Sequence, residues 1–392
     1  MSSPVDTSVK HFTSAMTAAP ALSGTAGALI NILDACLVTG FDAKSATSLV
    51  VASGVATLSF TGTHSATVDS VIFVENASVG LLNGEQRVTS VAAGVVRFAT
   101  AAANGTTTGA VTFKMAPAGW AKTFTGVNLA AYKSLSVEAT GCLLRVDDMA
   151  AQFGRVRGFE SMADIATGSG LFPSAVQFAA PGLWWSKSNA ADATARPWVI
   201  FADDRGVYFC PRPALAAQHQ ANYFGDVLSL KSGDPYGCAL RANVADRSAA
   251  TTALGDDVGW VDNTSAQDGL YLARAANALG GAVRCFSAQV IGAGLSANSS
   301  YAAGSVGWPY PAAADNGLML SPVAIYNAQG YRGYVPGLRM SPQVVNASFT
   351  TGDVVAGMGD MAGRKVMVMG LGAASGTGAG EVFFDHVANW RT

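Results

Sequence analysis

The stretch VIFVENASVGLLNGEQRVTSVAAGVVRFAT, residues 71–100, alternates apolar and polar side chains on either side of the pair Asn83-Gly84. Alternation with a period of two predicts β-strands, because successive side chains of a strand point to opposite faces. Asn-Gly accepts the positive φ values of a tight hairpin, so we predict paired strands around this turn. The candidate core side chains are Val71, Phe73, Val88 and Val91.

The same period of two extends on both sides of this hairpin. Short β-branched runs separated by Gly, Asn and Ser fill residues 38–116, which predicts a small antiparallel β-sandwich or barrel. Residues 1–37 precede this module as an N-terminal arm and one helix. Apolar residues recur at helical spacing in SGTAGALINILDACLVTGF, with Thr25 available to cap the helix and Gly40 to end it.

A second, larger module follows the segment MAPAGWAK, where Pro117 and Gly119 interrupt the pattern. Residues 117–392 contain many short strand candidates with Gly, Asp and Asn turns, which predicts a larger β-sandwich of jelly-roll-like type. The fold class is therefore all-β with one N-terminal helix. We expect the link between the modules to be open to proteases, unless Trp120 docks between them.

Composition excludes several classes of function. Only 13% of the residues are charged, half are apolar, and the formal net charge is -2 with no block of Lys or Arg. Nucleic acid and anionic membranes both need clustered cations, so neither is an expected partner. The N-terminus lacks the pattern of a signal peptide, and five dispersed cysteines without metal-ligand spacing predict free thiols in a reducing cytoplasm.

Carboxylate pairs are the first place to look for chemistry. Asp147-Asp148, Asp203-Asp204 and Asp256-Asp257 could offer oxygen ligands to Ca²⁺, but they lack the pattern of a calcium loop and favour turns. No nucleophile motif accompanies His386. The sequence predicts no metal, no cofactor and no enzymatic activity.

Tryptophans provide a different kind of candidate site. Trp184, Trp185 and Trp198 lie near polar donors, and indole faces beside such donors bind sugar rings or a partner's loop. The alternative is that the rings fill the core; since adjacent residues of a strand face opposite ways, only one of Trp184 and Trp185 can do so. The candidate contact residues are Trp184, Trp185, Lys187, Asn189 and Arg196.

Several longer segments resemble a family of tailed-bacteriophage virion proteins encoded among tail and baseplate genes. The similarity extends from the N-terminal helix to the last residues. The segments that carry it are TSVKHFTSAMTAAPALSGTAGALINILDACLVTGF, LNGEQRVTSV, GWAKTFTGVNLAAYKS, LLRVDDMAAQFGRVRGFESMADIATGSGLFP, ARPWVIFADDRGVYF, DNGLMLSPVAIY, RGYVPGLRMSP and VFFDHVANWR.

This resemblance implies a non-enzymatic structural protein of the virion, located in the tail, its tip or the baseplate. It implies several copies in a symmetric homo-oligomer, with other virion proteins as partners. Two alternatives remain open: a capsid decoration or cement protein, and a receptor-binding tail protein that contacts a host-surface glycan. The low charge fits a crowded assembly, and residues 1–23, which have no apolar period, are either a docking arm for a neighbouring subunit or a loose terminus.

Overall fold

A computed structural model of the protein describes residues 3–215, 218–246, 260, 268–291, 308–345, 348–372 and 379–391. The described chain is predominantly β, with a closed barrel, a larger antiparallel body and one short helix near the N-terminus. The predicted fold class is confirmed. No helix among these residues is long and apolar enough to cross a membrane.

The N-terminal segment belongs to the larger body and is not a free arm. Strand β1 (Lys10–Thr13) pairs antiparallel with residues 199–202, and Leu22 forms a β-bridge with Arg196. Residues 10–13 and Leu22 are thus held by backbone pairing within their own chain. This differs from the loose terminus that the sequence allowed, while a contact of this segment with a neighbouring subunit stays a prediction.

The helix α1 (Ala28–Leu33) continues as a π-helix (Asp34–Thr39) and ends at Gly40, whose φ is 71°. Thr25 does not cap it. The Asp148 carboxylate does so, because its Oδ2 accepts from the amides of Leu29 and Ile30 at 2.8 and 3.1 Å. The apolar face of the helix is buried as predicted.

The small module is a barrel of six strands that closes on itself, with β7 as a short addition. The closing order is β2–β3–β6–β5–β4–β8, and β2 pairs with both β3 and β8. The strands are β2 (Phe41–Ala52), β3 (Val55–Phe60), β4 (Val71–Glu75), β5 (Gly84–Ala92), β6 (Val95–Ala99), β7 (Gly105–Thr107) and β8 (Thr112–Met115).

The opening stretch folds as paired strands, but the turn differs from the prediction. β4 and β5 pair from Val71 opposite Arg87 to Val74 opposite Gly84, and residues 76–83 connect them through a 3-10 helix (Gly80–Leu82). Asn83 has an extended backbone, and its amide group bonds the backbone of Ala77.

Two of the four candidate core side chains point elsewhere. Val71 and Val88 are buried, whereas Phe73 is half-buried and Val91 is exposed. Ile72 and Val74 fill the barrel from β4, so Phe73 lies on the other face. An irregularity between Val88 and Ser90 shifts the register of β5, which breaks the alternation before Val91 is reached.

The larger body contains the remaining strands, most of which pair with their neighbours in sequence. The first half comprises β9 (Trp120–Gly126), β10 (Leu129–Ser134), β11 (Leu143–Asp147), β12 (Phe153–Met162), β13 (Gly168–Phe172), β14 (Leu183–Ser186), β15 (Trp198–Ala202), β16 (Gly206–Pro211) and β17 (Asn222–Asp226). The second half comprises β18 (Leu228–Ser229), β19 (Cys238–Asn243), β20 (Asp268–Leu272), β21 (Val283–Gln289), β22 (Ser321–Asn327), β23 (Gly330–Met340), β24 (Val354–Ala356), β25 (Lys365–Gly372) and β26 (Ala379–Asp385), with a 3-10 helix (Gly359–Met361) before β25.

The link between the modules is docked. Ala116, Ala118 and Trp120 are buried, and the Trp120 Nε1 donates to the Asp203 carbonyl at 3.0 Å. One hydrophobic core runs without a break from the helix through the barrel into the first half of the body. The expectation of an open link was wrong, and the stated alternative, docking of Trp120, is what the structure shows.

Candidate functional site

The two adjacent tryptophans lie on opposite faces of β14, as their spacing predicts. Trp185 is fully buried, and its Nε1 donates to the Arg241 carbonyl at 3.1 Å. Trp184 is half-buried and points to the other face, where the Arg155 guanidinium stacks on its ring at 3.6 Å from the centroid. Trp185 fills the core, and Trp184 is the one of the two that can contact a sugar or a partner.

Lys187 is a buried structural residue. Its Nζ donates to Asp148 Oδ1 at 2.5 Å, to the Thr25 carbonyl at 2.7 Å and to the Ala150 carbonyl at 2.8 Å, and both side chains of the ion pair are 0% exposed. Burial raises the pKa of Asp148 and lowers the pKa of Lys187, while each partner opposes the shift of the other. Lys187 therefore holds the helix cap and is not accessible to a ligand.

Arg196 and Asn189 do not join Trp184 in one surface. Arg196 is buried, and its Nε donates to Ser188 Oγ at 3.0 Å while its amide bonds the Leu22 carbonyl. Asn189 is half-buried, and its amide donates to the Pro213 carbonyl at 3.0 Å. Of the five predicted contact residues, Trp184 is the one that lies, half-buried, beside other aromatic and cationic side chains.

These groups form what we call the Trp184 face: Phe153, Arg155, Arg157, Phe178 and Trp184. The Phe153 and Phe178 rings pack edge-on against Trp184, with centroids 6.3 and 5.5 Å away. β12 supplies three of the residues and β14 supplies Trp184; the two strands pair with Arg155 opposite Trp184. The face combines apolar rings with guanidinium donors.

The arginines of this face are anchored on carbonyl groups. Arg155 donates to the Gly182 carbonyl, and Arg157 Nη2 donates to the Phe178 carbonyl at 2.6 Å. Burial lowers the pKa of both guanidiniums, and Arg145, opposite Arg157 on β11, lowers the pKa of Arg157 further. The Asp147 carboxylate opposes this shift and raises the pKa of Arg155. The hydrogen-bond acceptors of both guanidiniums are neutral carbonyls, but the Asp147 and Asp246 carboxylates favour the charged form of Arg155, and Arg157 is itself buried.

Sequence reasoning missed Arg155 and Arg157. Their spacing in FGRVRGF, one residue apart with apolar neighbours, places both on one face of a strand and was the available signal. The sequence does not reveal that β12 pairs with β14. This pairing is what brings Arg155 next to Trp184.

The carboxylate pairs have structural roles in the described residues. Asp203 begins the turn between β15 and β16 and accepts from the Arg205 amide at 2.9 Å, as a turn residue should. Its side chain also binds Arg391, with Oδ2 2.7 Å from Nε. The described part of the chain contains no group of three or more His, Cys, Asp or Glu side chains that could hold a metal ion. Asp256-Asp257 lies outside the described residues.

A buried polar junction joins the barrel to both ends of the chain. Arg87 of β5 donates to the carbonyls of Asp6, Asp69, Val9 and Val387 at 2.6, 2.6, 3.0 and 3.0 Å. We call this set the Arg87 clamp. Through this one buried side chain, the barrel is linked to the N-terminal segment and to the residues that follow β26.

All five cysteines are buried free thiols, in agreement with the sequence prediction. Burial raises the pKa of Cys36, Cys210, Cys238 and Cys285.

Comparison with models of known protein families found no match, and comparison with curated proteins found no relative.

Proposed function

We propose that the protein is a non-enzymatic structural component of a tailed-bacteriophage particle, present in several copies in the tail, its tip or the baseplate. The proposal rests on the resemblance of its segments to virion proteins from tail and baseplate genes. It places the protein in the virion, after synthesis and assembly in the host cytoplasm. The partners are copies of the chain and other virion proteins.

The observation that supports a building-block role is the Arg87 clamp. A subunit that transmits load through an assembly needs its modules fixed relative to one another, and a small interface between modules leaves them free to move. Here a buried guanidinium binds the backbone of the barrel and of both chain ends, and a continuous core passes beneath it. The two β-modules are therefore joined by buried contacts and by a shared core.

Exposed apolar side chains offer surface for neighbouring subunits. Val137 and Val176 are 99% exposed, and Leu135 is 67% exposed. Symmetric assemblies repeat a modest contact several times, so each contact can be weak while the closed assembly is stable. We assign these loops to subunit contacts within the particle.

The test is to separate heads from tails of purified particles and quantify the protein in each fraction by mass spectrometry, followed by reconstruction of the intact virion. Recovery with tails at a fixed multiple of a tail component supports the proposal. Recovery with heads identifies a capsid decoration or cement protein instead. Absence from both fractions overturns the structural role.

A second candidate function, binding of a host-surface glycan by a tail protein, is favoured by the Trp184 face. Aromatic rings beside guanidinium groups suit a sugar that carries an acidic group. The test is binding of purified protein to host surface polysaccharide, comparing Trp184→Ala with Tyr331→Ala. Tyr331 is a matched control because it is an exposed aromatic residue on a different strand, β23. Equal binding by both variants and the parent protein would remove this candidate.

A further inference from the structure

A cavity of about 240 Å³ lies in the second half of the body, next to β18, β22 and β23. Its lining combines a majority of apolar side chains with three charged ones, which come from β23, from the residue before β25 and from the end of β26. The apolar lining residues are Leu228, Val290, Pro322, Tyr334, Val335 and Trp390. The charged lining residues are Arg339, Arg364 and Asp385.

Arg339 is a half-buried cation whose guanidinium has no hydrogen-bonded partner among the described residues, although the Asp385 carboxylate lies close enough to attract it. Its guanidinium makes no hydrogen bond and no ion pair with any residue that the structure describes. Burial is the larger cause that lowers the pKa of Arg339; the neighbouring Arg364 lowers it further, and the Asp385 carboxylate opposes both. An arginine of this exposure normally has an acceptor for its donors, so its five N–H groups are available to a ligand.

The single carboxylate in the cavity is already engaged. Asp385 Oδ2 accepts from Arg364 Nη1 at 2.7 Å, and Oδ1 accepts from the amides of Val387 and Ala388 at 3.3 and 3.0 Å. The remaining nitrogens of the Arg364 guanidinium make no hydrogen bond within the described part of the chain. Two guanidiniums against one carboxylate leave the cavity with a net charge of one positive unit.

The ligand chemistry follows from charge, wall and size together. One excess positive charge is matched by one negative charge, and planar guanidinium groups bind a carboxylate through paired hydrogen bonds. Apolar walls offer few partners for the hydroxyls of a sugar but accept a hydrocarbon. The volume is below the roughly 300–1,000 Å³ of pockets that hold drug-sized ligands, so the guest is small.

We propose that this cavity binds a small organic carboxylate with a hydrocarbon body, its carboxylate held between Arg339 and Arg364 and its body against Tyr334, Val335 and Trp390. The proposal does not depend on where the protein sits in a virion. It assigns a ligand site to a region that is separate in sequence from the Trp184 face.

Isothermal titration calorimetry with phenylacetate tests the proposal on the full chain. Phenylacetamide has the same shape without the charge, and glucuronate has the charge without the hydrocarbon body. We expect phenylacetate to bind, with both probes at least tenfold weaker. Equal affinity for phenylacetamide would show that the arginines do not bind the carboxylate. Tighter binding of glucuronate would show that the ligand does not need a hydrocarbon body. If none of the three probes binds, the cavity is not a ligand site.

The matched variants are Arg339→Met and Arg97→Met. Arg339→Met removes the unpaired cation while keeping much of its hydrocarbon volume, so the fold should be retained and phenylacetate affinity should fall at least tenfold. Arg97 lies on β6 of the barrel, away from the lining residues, and its loss should leave affinity within twofold. Unchanged affinity in folded Arg339→Met, verified by circular dichroism, would contradict the proposal.

Discussion

His11 and His386 pack edge to face at the junction of the chain ends, with ring centroids 5.1 Å apart and ring planes at 89°. Both rings are buried, and the Nδ1 atoms of both lack a hydrogen-bond partner within the described residues. Burial lowers the pKa of His11 to about 3 and that of His386 to about 4. The junction is therefore built around two neutral imidazoles.

Acid should weaken this junction. In the unfolded chain both histidines bind a proton below pH about 6.5, whereas the folded protein keeps them neutral until the pH approaches their lowered pKa values. Unfolding thus takes up protons, and the free energy of unfolding falls as pH decreases from about 6.5, by up to about 1.4 kcal/mol per pH unit for each histidine. Chemical denaturation between pH 7 and pH 5 measures this slope.

His11→Phe is the matching variant, since a phenyl ring keeps the edge-to-face contact and removes the titrating group. The loss of stability between pH 7 and pH 5 should shrink by about 2 kcal/mol. Other charged groups around the pair are Arg87, Asp69, Lys365 and Asp385, and they remain in place in the variant. His64→Phe, in the barrel, is the control; an identical pH slope in His11→Phe and parent would refute the prediction.

The Arg87 clamp gives a second prediction. Arg87→Met removes a buried guanidinium and leaves the buried Val9 carbonyl and the partly buried carbonyls of Asp6 and Val387 without this donor; an unsatisfied buried acceptor costs about 1–3 kcal/mol. We expect a loss of at least about 3 kcal/mol in the free energy of unfolding, measured by urea denaturation. Arg97→Met, on a neighbouring barrel strand, should change stability by less than about 0.5 kcal/mol. Comparable small effects of both substitutions would show that the clamp is not important for stability.

The sequence predicted the elements well and their long-range partners poorly. The alternation of Trp184 and Trp185, the helical face from Leu29 to Leu37 and the turn at Asp203 are local patterns, and each follows from periodicity or turn chemistry. The cap of α1 comes from Asp148, 119 residues away from Leu29, and no local pattern indicates such a contact. Thr25 was the expected cap because it is close in sequence.

The candidate site shows the same division. A strand pattern identifies which tryptophan can be exposed, but the identity of its neighbours depends on which strand lies alongside. Lys187 is next to the tryptophans in sequence, yet it points to the face where Asp148 is buried. Arg155 is remote in sequence and lies on the ring of Trp184.

The two tryptophans of β14 should differ sharply in their contribution to stability. Trp185→Ala removes a fully buried ring and leaves a cavity, which costs about 3–5 kcal/mol. Trp184→Ala removes a half-buried ring and its contact with Arg155, for which we expect about 1–2 kcal/mol. Thermal and urea denaturation of the two variants make the comparison, and a larger loss for Trp184→Ala would contradict the assignment of faces.

The ion pair between Lys187 and Asp148 gives the last prediction. Lys187→Met leaves the Asp148 carboxylate buried with two amide donors and no cation, and breaking a buried pair from one side costs about 3–5 kcal/mol. Asp148→Asn should be milder: its amide oxygen still accepts from Leu29 and Ile30, and two carbonyls still bind the ammonium group, although the new NH2 group faces the ammonium and cannot accept from it. The double variant removes both charges and keeps the cap acceptor, so it should be more stable than Lys187→Met alone. Urea denaturation of the parent, the two single variants and the double variant provides a double-mutant cycle, and we expect its coupling energy to favour the native pair. Additive losses of stability would show that the two side chains act independently and that Lys187 is free for another role.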